Sequence, residues 1–345
     1  MRQAISAETV TENEPGKPGL GDWDAFVDRS PQGVLFCRTW WLDAVAPGRY
    51  EIVTVRKGNE IQAGWPVVWP ESGGRGAITM PLLTQKLGIL LAPFQGKYAE
   101  GLSTEHRLIE ELLERLPPAV HLDQRFHENF TNWLPFYWRG YQQTTRYTYV
   151  LDDLSDLDAL WQRMRNTVRT EVRKAEKLGV RVRENDDLEY FYRLNCKTFE
   201  RQRLRPPYDL AVLGRIEAAA RTGGGRKILI AEGPDGRAHA CAFLVYDRNC
   251  AFLLLTGADE QLRGSGAGSL LTWELIRFAA TVSKRFDFEG SMLRAVEPVY
   301  RGFGGKQTPY FRIWGRRQGH ARSPLRHLAG RALRKFARML DPTGR

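Results

Sequence analysis

The sequence predicts an α/β protein of mixed sheets, built as two similar domains in tandem. Three observations carry that expectation. The chain has 345 residues, more than a single core usually fills. Segments that alternate apolar and polar residues are interspersed with segments whose apolar residues recur three and four apart, the mark of mixed strands and helices. A strand, a glycine-containing turn and a second strand occur near residues 52–68 and echo near 227–245.

Composition narrows the class. Hydrophobic content of 42% and charged content of 26% are those of a globular protein, which excludes a largely disordered or membrane-spanning chain. No apolar run approaches the ~18 to 20 residues that cross a bilayer. The opening "MRQAISAETVTENEPGKPGLG" lacks an apolar segment, so residues 1–21 read as a frayed tail, and the expected compartment is the cytoplasm. Cys37, Cys196, Cys241 and Cys250 are scattered without metal-ligand spacing and read as reduced thiols. A net charge of +11 calls for an anionic partner; nucleic acid, a phosphate-rich cofactor and an acidic membrane surface all qualify.

The elements follow in order. "DWDAFVDRSPQGVLFCRTWWLDAVAP" suggests two short helices. "YEIVTVRKGNEIQAGWPVVWP" is a hairpin about Lys57-Gly58-Asn59. Leu108, Ile109, Leu112, Leu113 and Leu116 mark a helix stopped by Pro117-Pro118, and "AVHLDQRF" alternates as a strand. This first domain is expected over residues 22–150. The aromatic run "FTNWLPFYWRGYQQTTRYTY" near its end suits packing more than a groove wall.

The second domain, over residues 151–318, opens with a helical stripe from Leu157 to Leu178, ended by Lys174, Lys177 and Gly179. Arg163, Arg165, Arg169 and Arg173 lie on its other face, which is either solvated or phosphate-binding. Three strands follow in "RKILIAEGPDGRAHACAFLVYDRNCAFLLLTGAD". Residues 319–345 are expected to form a basic amphipathic helix. It packs on the body or, through residues 322–340, touches an anionic membrane surface; RNA is a third option.

After the strand "CAFLLLT" comes Arg263-Gly264-Ser265-Gly266-Ala267-Gly268, then the apolar helix "SLLTWELIRFAATV". Glycines at a helix start leave backbone N–H groups and the positive dipole end open to an anion. The run lacks the Lys-Ser/Thr ending of a P-loop, and hairpins precede it instead of the crossover of a dinucleotide fold. This spacing resembles the Arg/Gln-x-x-Gly-x-Gly/Ala signature of the GNAT acyltransferase superfamily, in the place where that superfamily carries it. Together with "RYTYVLDD", "RNTVRTEVRKAEKLGV" and "FDFEGSMLRAVEPVYRGFGGKQ", it resembles the Fem-type branch over residues 22–318. Members are peptidoglycan-bridge aminoacyltransferases and related acetyltransferase-like proteins made of two GNAT-like domains. The resemblance implies an acyl-CoA donor, acetyl-CoA above all, bound through residues 263–268. It also implies an amine or cell-wall-precursor acceptor between the domains. Two features depart from the branch. No heptad arm for transfer RNA lies between Arg181 and Arg226, and Arg301 stands where some members place a lysine.

Within "RFDFEG", an extended strand would put Asp287 and Glu289 on one face, ~7 Å apart, where like charge raises one pKa toward that of a base at neutral pH. The alternative is that both carboxylates pair with backbone N–H groups or arginines. Tyr300 is a candidate proton donor and Arg301 a candidate charge. His121, Asp123 and His127 do not share one face, so no metal is expected. The preferred reading is an N-acyltransferase acting on an amine. The alternatives are an aminoacyltransferase that uses aminoacyl-tRNA, and a binding protein on a degenerate acyltransferase scaffold; DNA is not an expected partner.

Overall fold

The computed structural model describes residues 20–316, apart from 73, 119, 201, 202 and 291. Most of the expected tail and the whole expected basic helix, residues 319–345 with the membrane contact assigned to them, lie outside the described residues.

The first half holds helices α1 (Leu20–Arg29) and α2 (Thr39–Val45), then strands β1 (Tyr50–Lys57), β2 (Glu60–Val68), β3 (Ala77–Ile78) and β4 (Leu90–Leu91). Helix α3 (Tyr98–Arg115), β5 (His121–Arg125), α4 (Leu134–Trp138) and β6 (Gln142–Leu151) complete it. The second half begins with α5 (Leu157–Arg163), α6 (Asn166–Lys177), β7 (Arg181–Glu184), α7 (Leu188–Glu200) and α8 (Leu210–Gly223). It continues with β8 (Gly225–Glu232), β9 (Ala238–Tyr246), β10 (Cys250–Ala258), α9 (Ala267–Val282), β11 (Arg285–Asp287), α10 (Glu297–Gly302) and β12 (Lys306–Arg316).

Among the described residues the strands form a three-stranded sheet, β1-β2-β4, and a nine-stranded sheet, β3-β5-β12-β6-β11-β10-β9-β8-β7. The fold is thus α/β with mixed sheets, since β10 pairs β11 and β3 pairs β5 in parallel while other ladders are antiparallel. Two cores cover the second half of the large sheet. One joins α7, α8 and α2 through Phe191, Ile216, Trp41 and Phe243; the other lies under α6 and α9 with Val172, Leu271, Leu275 and Phe286. A third, around Trp65, Ile109, Leu122 and Phe136, lies between the small sheet, α3 and the first end of the large sheet. Each such side chain contributes about 1.5–3 kcal/mol on burial.

Local chemistry sets the element ends. Leu116 precedes Pro117 and is extended at ψ 149°, so α3 stops there. The stripe from Leu157 to Leu178 predicts one helix, but the chain is extended at Met164 and Arg165 and forms two. The Arg165 N–H turns away to donate to the Gly302 carbonyl at 2.8 Å. Gly179 is left-handed at φ 75° and ends α6 as its composition predicts.

The final strand crosses the halves. β12 is antiparallel to β6 from Lys306↔Val150 to Trp314↔Gln142, and on its other edge to β5. A strand from the end of the described chain therefore lies between two strands of the first half. The other feature that shapes the site is a parting of strands. β10 and β11 pair only from Cys250↔Arg285 to Phe252↔Asp287, while β10 runs on to Ala258 against β9 alone, with an irregularity between Leu253 and Leu255.

Candidate functional site

The glycine turn leads from β10 into α9. Residues 260–265 form a 3-10 turn, Gly266 adopts φ 78°, and α9 starts at Ala267. The glycines differ in purpose. At Gly264 and Gly268 a Cβ would meet nothing within 4 Å, which leaves the approach to the helix start open. At Gly266 a Cβ would collide with the Glu171 carbonyl of α6, so this glycine serves the packing of α9 on α6. Ser265 Oγ accepts the Ala267 N–H at 3.3 Å and lies 2.9 Å from His239 Nδ1, which ties the turn to β9. Replacing Gly266 with Val should lower stability by about 1–3 kcal/mol in urea unfolding, through the collision and the left-handed backbone. Gly268→Leu should cost less than 1 kcal/mol, in keeping with an exposed helix position.

The carboxylates expected on one extended strand are arranged otherwise. β11 ends at Asp287; Glu289 is left-handed at φ 57°, and its N–H donates to Asp287 Oδ1 at 2.8 Å. Two residues of alternation therefore do not place them side by side. Gly290, at φ 61°, lies so close to the backbone of Tyr147 and Thr148 that a Cβ there would overlap it.

Asp287 is buried and fully partnered. Its Oδ2 accepts from Lys86 Nζ at 2.7 Å, and its Oδ1 also accepts from the Thr148 hydroxyl. Lys86, in the loop between β3 and β4, donates in addition to Glu128 Oε2 at 2.6 Å, and Arg285 reaches the other Glu128 oxygen at 3.2 Å. Burial disfavours the ammonium, yet Asp287 and Glu128 together hold it well above the ordinary lysine value. Burial likewise works against the Glu128 carboxylate, but Lys86 outweighs it and holds that group well below its usual range. His127 beside it is pushed down to about 4 by burial and stays neutral.

Glu289 is the opposite case. Its Oε1 is shielded from solvent and has no hydrogen-bond partner. Burial, with the nearby Asp287 charge, lifts its carboxyl well above the ordinary 4.5, and Arg125 and Lys86 only partly oppose this. It lies two residues beyond the point where β10 and β11 part.

Tyr300 of α10 stacks on Phe288, ring centroids 5.2 Å apart, and burial followed by the Glu289 charge pushes its hydroxyl up to about 12. It therefore holds its proton at neutral pH. Arg301 does not join this group: it is exposed, and its Nε donates to Glu297 Oε1 at 2.7 Å. That same Glu297 oxygen accepts the Tyr149 hydroxyl at 2.6 Å, so Glu297 fixes the start of α10 to β6.

The structure thus brings Glu289, Asp287 and Tyr300 together and leaves Arg301 outside. The residues that sequence reasoning missed are Lys86, Thr148 and Arg125. A lone lysine within the apolar stretch "LLTQKLGILLAPF" was the available signal for the first. Among the described residues no three His, Cys, Asp or Glu side chains converge on a metal site, and Asp123 is forked by Arg312. Cys37 and Cys241 are buried, which pushes each thiol up to about 12 and removes them as nucleophiles. No described helix is long and apolar enough to cross a membrane.

Residues 162–298 match the family model described as "Acetyltransferase (GNAT) domain". The chain contains a GNAT domain. No curated protein matches the sequence. Solved structures similar to the whole arrangement include FemX, at 14% identity and TM-score 0.61, covering 85% of this chain and 96% of that one. A tandem GNAT protein from the clavulanic acid biosynthesis pathway is similar at 12% identity and TM-score 0.53, over 87% of this chain and 95% of its own. So is the C-terminal domain of a putative lysylphosphatidylglycerol synthetase from Agrobacterium fabrum, at 13% identity and TM-score 0.51, over 86% and 93%. At these identities the likeness is one of fold. The tandem GNAT fold accordingly extends over most of the chain, with the matched GNAT domain in its second half.

Proposed function

We propose that this protein is an N-acyltransferase that moves an acyl group, acetyl in the simplest case, from acyl-CoA to an amine. On this reading residues 22–150 and 151–318 are its two GNAT-like units, with the acceptor between them. The observation that carries the reading is the shielded, unpartnered Oε1 of Glu289 at the parting of β10 and β11, in a neighbourhood where Asp287 and Lys86 are fully bonded.

The donor supplies an activated thioester. Its phosphates suit the open approach at Gly264 and Gly268, where no side chain obstructs the helix start, and Arg263 adds a cation. The amine reacts in its neutral form, with a lone pair free and one proton to lose as the amide forms. Glu289 takes its proton, the nitrogen forms a bond to the acyl carbon, and the carbon–sulfur bond breaks. Tyr300 gives its proton to the departing thiolate, a role that needs a phenol still protonated at neutral pH. Asp287, locked between Lys86, Thr148 and the Glu289 N–H, orients the loop that carries Glu289 and is a positioning residue.

Isothermal titration with coenzyme A tests the donor. Binding is expected for the native chain and is expected to weaken at least about tenfold in Gly268→Leu, a variant that keeps its stability. Absence of binding to the native chain would remove the acyl-CoA reading. The second reading, transfer from aminoacyl-tRNA to a cell-wall precursor, draws on the net charge of +11 and the exposed Arg163, Arg165 and Arg173. It requires charged tRNA to bind with an affinity that falls steeply with salt while coenzyme A does not bind.

A further inference from the structure

Near Glu289, one face of the large sheet carries a row of cationic side chains from three neighbouring strands. Register sets Arg146 of β6 opposite Tyr310 of β12, and Arg312 of β12 opposite Arg125 of β5. Residues two apart on a strand share a face, so these four side chains project together. Thr148, two residues beyond Arg146, already touches Asp287.

The three arginines are not equivalent. Arg312 is neutralised by a two-pronged bond to Asp123, at 2.8 and 2.6 Å. Arg125 donates to the Thr84 carbonyl at 2.9 Å, and Arg146 reaches the Tyr310 hydroxyl at 3.4 Å. Among the described residues neither has a carboxylate bonded to it. Both are half-buried. Burial disfavours the charged form of Arg125; Tyr310, Glu289 and Asp123 offset only part of this, and the like charge of Arg146 adds to it. Two guanidinium groups on one face of the sheet, half withdrawn from water and with no carboxylate bonded to either among the described residues, form a site whose charge a bound oxyanion would relieve. Their planar donors suit carboxylate and phosphate oxygens.

We infer that the acceptor is an amine that also carries an oxyanion, a carboxylate or a phosphate, held by Arg125 and Arg146 while the amine nitrogen lies at Glu289. This rests on the amine-acylation reading above.

Calorimetric titration with paired probes tests it. The pairs are β-alanine against β-alaninamide, and O-phosphoethanolamine against ethanolamine. In at least one pair the anionic member should bind about tenfold or more tighter than its neutral partner, and the pair that shows this identifies carboxylate or phosphate as the source. Arg146→Gln and Arg125→Gln should each remove the preference, whereas Arg146→Lys, which keeps the charge, should retain part of it. In acyl-transfer assays Arg146→Gln should raise KM and leave kcat nearly unchanged, whereas Arg125→Gln, which also removes a charge that acts on Glu289, should change both. Equal binding or no binding within both pairs, or a preference untouched by both Gln variants, would overturn the inference. Arginine-dependent binding of an anionic amine that no donor acylates would keep the oxyanion site and remove the acyltransferase reading. Acylation of anionic amines with a KM unaffected by Arg146→Gln would do the reverse.

Discussion

Glu289→Gln should lower kcat for amine acylation by about 10²–10⁴-fold, the usual worth of a positioned general base, while coenzyme A affinity stays within about twofold of native. Glutamine has the same shape and loses only the capacity to take a proton, so the fold is expected to hold. The pH profile separates this from mere crowding. Burial and Asp287 raise the Glu289 carboxyl above 4.5, and the base works only when ionised. In the native enzyme kcat/KM should therefore rise with pH along a limb displaced above the ordinary carboxylate range. In Glu289→Gln that limb should disappear, leaving a low rate without it. A variant that keeps the limb would assign it to another group and take the proton-transfer role from Glu289.

Removing the Lys86 ammonium should have the largest effect on stability. Lys86→Met leaves Glu128 and Asp287 buried without the cation between them, and breaking a buried ion pair from one side costs about 3–5 kcal/mol. Arg285 remains on Glu128, so Asp287 carries most of the loss. The pH dependence has a definite sign. In the native chain the depressed Glu128 carboxyl contributes stability that is present above its unfolded value of 4.5 and is lost as pH falls through the lower folded value. In Lys86→Met the Glu128 carboxyl loses the main partner that held it ionised, so its protonation relieves part of the cost. The gap between native and variant in urea unfolding should then narrow as pH falls toward 4.5. A gap that is constant with pH would mean that lost packing, not charge, is responsible. Loosening Asp287 also frees the N–H of Glu289, so catalysis should fall along with stability.

How far this site could be read from sequence depended on the range of the interactions that make it. The glycine run was legible because a turn between a strand and a helix is a local event, and Gly264 before α9 and Gly268 in its first turn do stand open. The same pattern hid that Gly266 is spent on Glu171, a neighbour nearly a hundred residues earlier. Hairpins such as β1–β2 and β8–β9 were legible for the same reason. The reading of Asp287 and Glu289 as one strand face failed because strand alternation assumes a ladder. β11 pairs β6 only through Phe286 and Asp287, after which Gly290 presses against β6 and the chain turns left-handed at Glu289. Lys86, Thr148 and Arg125 reach the site from the first half of the chain, and no spacing within the motif around Asp287 could point to them. The insertion of β12 between β5 and β6 was equally out of reach, since alternation reveals a strand but not its neighbours. Arg301 shows the converse. Its position in a motif suggested chemistry, while its helical spacing of four from Glu297 offered a surface ion pair, and the ion pair forms.

On the proposed reading this chain acylates an amine with an acyl-CoA, using Glu289 as base. Mass spectrometry of the purified protein incubated with isotope-labelled acetyl-CoA, charged tRNA and a mixture of amines that includes amino acids and aminoalkyl phosphates tests it most directly. Consumption of acetyl-CoA, with the label appearing on an amine and this transfer lost in Glu289→Gln, is the predicted result. Consumption of charged tRNA alone, or label transfer that Glu289→Gln leaves intact, would contradict it.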